Sequence, residues 1–73
     1  VKEYTMILDK EHIRENSTFL YGKMKGMYRY TFSELQRLTN LGSTELCLAL
    51  IQLLREEKIT QDRGPQGICY ATV

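Results

Sequence analysis

The stretch "ELQRLTNLGSTELCLALIQLL", Glu34 to Leu54, holds two apolar patterns of helical period separated by Asn40-Leu41-Gly42-Ser43. Phe32, Leu35 and Leu38 give the first pattern one apolar face, with Gln36 and Arg37 opposite. Leu46, Ala49, Leu50 and Leu53 give the second an inward stripe. Between them, Asn40 and Gly42 supply the left-handed conformations a tight turn needs, and Ser43 is placed to cap a helix from Thr44 to about Glu57. A helix-turn-helix over residues 32–57 follows.

Toward the N-terminus, Thr31 and Glu34 have the spacing of a capping box, in which each side chain satisfies a backbone N–H at the helix start. "YRYT", Tyr28 to Thr31, suits a one-bridge β segment before that helix. Asp9 and Glu11 open a further helix over 9–26, with Ile13, Phe19, Leu20, Met24 and Met27 as its apolar stripe. Gly22 within it costs about 1 kcal/mol relative to Ala, which predicts close packing of another element there. "EYTMIL", Glu3 to Leu8, reads as a short strand or extended arm over 1–8.

Toward the C-terminus, "KITQDRGPQGICYATV" over 58–73 reads as a hairpin: a strand from Lys58 to Gln61, a loop holding Gly64-Pro65-Gln66-Gly67, and a strand from Ile68 to Val73. The whole is one domain, 1–73, mainly α with a small β component (α+β). Its three helices, C-terminal β-hairpin wing and short N-terminal strand make a winged helix-turn-helix.

With the wing in place, "TFSEL", "LGSTEL", "LLREEKI" and the Gly-Pro hairpin resemble winged helix-turn-helix domains in general, from Tyr30 to the end. More narrowly, "IREN" at Ile13 to Asn16, its spacing to "SEL" at Ser33 to Leu35, and "LLREEKI" at Leu53 to Ile59 look like a group of small bacterial winged-helix domains of unassigned function. The resemblance implies the winged-helix fold and, through it, a DNA-binding, transcription-related role. The Asn, Tyr and Trp combination of winged domains that bind left-handed DNA is absent, since the chain has no Trp.

Composition narrows the classes. At 73 residues the chain makes one small domain that buries only about 60% of its unfolded surface, so a partner would add usefully to its stability. Ten basic against nine acidic residues leave +1, short of the balance expected of a protein held on DNA by phosphate neutralisation alone. Any such affinity must come from a local patch. There is no apolar run of membrane length and no secretory signal, so a cytoplasmic protein with no membrane association is expected. A chain that starts on Val1 and stops within strand-type residues is expected to be a module of a longer protein.

Cys47 and Cys69 lack the spacing of a zinc or dithiol motif, so two free thiols and no metal are expected. His12 stands alone at a helix start, without a positioned acid, base or nucleophile in sequence. No enzyme, cofactor or small-molecule substrate is expected. Tyr4, Tyr21, Tyr28, Tyr30 and Tyr70 are read as half-buried aromatics with wet hydroxyls rather than base-stacking platforms.

Two functions stay open. In the first, Thr44, Gln52 and Arg55 face a base edge or phosphate, while Arg37, Lys58 and Arg63 form a phosphate-contacting rim, with Lys23, Lys25 and Arg29 adding charge nearby. In the second, the apolar outer stripe of Cys47, Leu48, Ile51 and Leu54 meets another protein or a second copy of the chain. Charge favours the second: over Thr44 to Glu57, Arg55 against Glu45, Glu56 and Glu57 gives +1 − 3 = −2.

Overall fold

The computed structural model describes residues 9–73. Helix α1 runs Lys10–Lys23, strand β1 Tyr30–Thr31, helix α2 Phe32–Thr39, helix α3 Ser43–Arg55, strand β2 Ile59–Gly64 and strand β3 Gly67–Thr72. The strands form an antiparallel sheet in the order β1-β3-β2. Three helices with this small sheet make an α+β fold compatible with a winged helix. The strand or arm expected over 1–8 lies outside the described residues.

Leu20, Leu35, Leu46 and Leu53 are the largest fully buried side chains, joined by Met24, Tyr30, Ala49, Leu50 and Ile59 in one core. Each such leucine contributes about 1.5–3 kcal/mol by leaving water. The inward stripe expected of α3 is the one observed.

Elsewhere the faces differ from expectation. On α2, Leu35 and Thr39 are buried while Leu38 is exposed. Thr39 can occupy the inward position because its hydroxyl is satisfied there: it donates to the Leu35 carbonyl at 2.7 Å and accepts from the Leu41 amide at 3.3 Å. On α1 Ser17 and Leu20, and just past its end Met24, face the core, whereas Phe19 and, beyond the helix, Met27 are exposed. The Ser17 hydroxyl likewise donates to the Arg14 carbonyl, at 2.8 Å. Gly22 has no neighbour that an added Cβ would approach, so the close packing expected at that position is not found.

Termini also shift, for identifiable reasons. Helix α1 stops at Lys23 rather than at residue 26, because the chain turns to bury Met24 and the Lys25 amide donates to the Tyr30 hydroxyl at 2.9 Å. The cap on α2 is as expected, with Thr31 Oγ1 accepting from the Glu34 amide and Glu34 Oε1 accepting from the Thr31 amide. Asn40 ends α2 at φ 61°, the expected left-handed residue, but Gly42 is extended at φ −68°. Gly42, not Ser43, is the N-cap of α3, and its amide donates to Glu45 Oε1 at 3.1 Å.

At its other end α3 closes at Arg55 in a Schellman motif. The Lys58 amide donates to the Leu53 carbonyl and the Glu57 amide to the Leu54 carbonyl, both at 3.0 Å, with Glu57 left-handed at φ 58°. The hairpin then pairs Ile59 with Thr72 through to Gly64 with Gly67, leaving Pro65-Gln66 as its turn. Strand β2 therefore extends beyond Gln61, through three residues expected in the loop.

Candidate nucleic-acid and protein interface

Helix α1 packs against the flank of α3, and α2 and the sheet close over its inward stripe. What remains on the outside is the face carrying Thr44, Cys47, Ile51 and Arg55, all exposed, with Leu48 half-buried beside them. Leu54 belongs partly to the core, against which it packs. The apolar stripe expected on the outside is thus narrower than the sequence suggested: Cys47 and Ile51 are its open members.

The wing offers a second exposed face. Side chains alternate across a strand, so Gln61, Arg63, Ile68 and Tyr70, which pair across β2 and β3, share one side of the sheet. Tyr70 packs against the core, which identifies that side as the one turned toward the helices. Burial, and then Coulombic repulsion from a Cys47 thiolate, push the Tyr70 hydroxyl above its ordinary range. Beyond Tyr70, Ile68 is 44% exposed, close to the 45% of Ile51. Arg63 pairs with Ile68 next to the Pro65-Gln66 turn and so stands toward the tip of the wing.

Cys69 faces the opposite side of the sheet, under Arg29, Thr31 and the Gly64-Pro65-Gln66 turn. Arg29 Nη1 reaches Asp62 Oδ2 at 3.4 Å across that outer side, so this cation is already engaged. Both cysteines are free thiols, Cys47 exposed and Cys69 buried. Among the described residues no group of His, Cys, Asp and Glu is gathered as a metal would require. None of the described helices is long and apolar enough to cross a membrane.

The candidate polar contacts separate into distinct places. Thr44 and Arg55 lie on the open face of α3, and Arg63 on the wing beside it. Gln52 is half-buried, and its Nε2 donates to Glu56 Oε2 at 2.6 Å, which commits part of its hydrogen-bonding capacity within the chain. Lys58 pairs with Glu56 at 3.5 Å and stands 5.6 Å from the Tyr21 ring centre, turned to the end of α1 rather than to the open face. Arg37 lies exposed on α2 beside Glu34 and Leu38. Arg37, Lys58 and Arg63 of the expected rim thus stand on α2, at the end of α3 beside α1, and on the wing respectively.

Two of the three acidic residues gather at the C-terminal end of α3 rather than along it. Glu56 and Glu57 lie beyond the helix, so Ser43–Arg55 carries only Arg55 and Glu45, +1 − 1 = 0. Glu45 is in turn occupied at the helix start by the Gly42 amide and stands 3.6 Å from His12 Nε2. His12 thus flanks α3 from α1, in keeping with a surface position. Two cations absent from the sequence-based set, Lys10 and Arg14, line a groove between α1 and α3 with Ile13, Gln52 and Arg55. Their spacing, one helical turn apart on α1, was visible, but the pairing of α1 with this flank of α3 was not.

The chain matches no family model, no curated protein and no solved structure at a significant level.

Proposed function

We propose that this chain is a duplex-DNA-binding winged-helix module, of the kind used in transcription, in which α3 approaches a groove and the wing contacts the backbone. The observation that carries this reading is the open surface of α3 with Thr44 and Arg55, together with a wing face that bears Gln61 and Arg63. Thr44 supplies a hydroxyl near the N-terminal end of α3 and Arg55 a planar cation at its C-terminal end, both suited to base edges or phosphates. Glu56 and Glu57 follow Arg55 directly and keep this end of α3 acidic, so phosphate contact in this reading rests on Thr44, Arg55 and Arg63 and not on the net charge of the helix. Sedimentation of the chain with and without duplex DNA at low salt tests this: co-sedimentation that disappears as salt rises is the expected result, and a chain that never joins the duplex contradicts it.

A second reading is favoured by the half-exposed Ile51 and Ile68. In it the same face meets another protein or a second copy of the chain, and Cys47, Leu48 and Leu54 border the contact. The same sedimentation experiment without DNA separates the two, because self-association through an apolar face persists at high salt.

A further inference from the structure

Lys10, Arg14 and Arg55 converge on a groove between α1 and α3 whose remaining walls are Ile13 and Gln52. Lys10 and Arg14 stand four residues apart and so occupy one face of α1, while Gln52 and Arg55, three apart, answer them from α3. No carboxylate lines the groove. Among the described residues none of the three cations forms an ion pair. Glu56, which feels the Arg14 charge from nearby, already accepts from Gln52 and pairs with Lys58. Three like charges gathered along a helix seam repel one another, and an anion seated between them relieves that repulsion. Guanidinium groups present flat, forked donors that match the oxygens of a phosphate, and an ammonium adds a point charge.

We infer that this seam is a phosphoryl-binding site, and, resting on the DNA-binding reading, that its occupant is a backbone phosphodiester of the duplex, held on the side of α3 opposite the wing. Arg55 belongs both to the open face of α3 and to the groove, which makes the two surfaces continuous. The duplex would then be gripped at two edges, by Arg63 on the wing and by Lys10 and Arg14 on α1.

The test follows backbone amides of the intact chain by NMR during titration with a short mixed-sequence duplex and, separately, with pyrophosphate. Affinity for the duplex is measured across salt for the wild type, for Lys10→Ala with Arg14→Ala, and for the charge-preserving Lys10→Arg with Arg14→Lys. The inference expects duplex-induced shifts along the 10–14 and 52–55 segments, a slope of log affinity against log salt flattened by about 2 in the alanine pair, and a retained slope in the charge-preserving pair. Duplex binding with an unaltered slope in the alanine pair overturns the inference and leaves the DNA-binding reading standing. If the duplex does not bind but pyrophosphate shifts these segments, and loses that effect in the alanine pair, the phosphoryl site stands and the DNA-binding reading fails. If the duplex does not bind at all and pyrophosphate moves neither segment, both fail.

Discussion

Gln52 Nε2 donates to Glu56 Oε2 at 2.6 Å across the C-terminal end of α3. This hydrogen bond, then the charge and hydrogen bond of Lys58, hold the Glu56 carboxyl below its ordinary range. A depressed carboxyl pKa means a contribution present above the unfolded pKa and lost as pH falls through the folded one. Glu56 lies on the surface, so the effect belongs to titration rather than to measurable stability. Following the Glu56 carboxyl by NMR, we expect it to titrate below an unperturbed glutamate, and Gln52→Ala to move it back upward. No difference between wild type and variant would remove Gln52 as the principal cause.

Thr31 and Glu34 tie down the start of α2 reciprocally. Thr31→Ala removes the acceptor for the Glu34 amide and is expected to destabilise the fold by about 0.5–2 kcal/mol in urea unfolding. A variant as stable as the wild type would mean that water serves the helix start equally well.

Leu46 and Ile51 distinguish the two sides of α3. Leu46 is fully buried, so Leu46→Ala is expected to cost about 2–5 kcal/mol, whereas Ile51→Ala on the open face should stay within about 0.5 kcal/mol at protein concentrations where the chain is monomeric. A severe loss at Ile51 would assign that residue to the chain's own core or to an interface required for folding.

Glu57 holds φ 58° at the end of α3, a conformation that costs a side-chain-bearing residue and suits glycine. Glu57→Gly is expected to raise stability by up to about 1 kcal/mol, although glycine also gains freedom in the unfolded chain. Gly22 offers the converse: inside α1, with open space where a Cβ would go, Gly22→Ala should stabilise by some tenths to about 1 kcal/mol. Thermal unfolding of both variants checks these signs.

Glu57 also shows why parts of the fold were legible and others not. The inward stripe of α3, the Thr31–Glu34 box and the left-handed Asn40 all declare themselves through residue type at fixed spacing, and the structure contains each of them. The end of α3 does not, because a glutamate in left-handed conformation carries no sequence signal and "REEK" reads as more helix. Thr39 was missed for a related reason: its burial depends on hydrogen bonds to Leu35 and Leu41 that only the folded turn provides. At the candidate site, the exposure of Thr44, Cys47, Ile51 and Arg55 follows from period, whereas Leu54, expected on the outer stripe, packs against the core. The groove of Lys10, Arg14 and Arg55 needed the pairing of α1 with α3, which no local pattern encodes.

The most direct measurement of the account is the affinity of the chain for duplex DNA as a function of salt, compared between wild type and Arg63→Ala. The wing cation is expected to contribute about one unit to the slope of log affinity against log salt, so the variant should bind all sequences more weakly and with a slope flatter by about 1. An affinity that is undetectable even at low salt, or a wild-type and a variant with identical slopes, would contradict the placement of DNA along α3 and the wing.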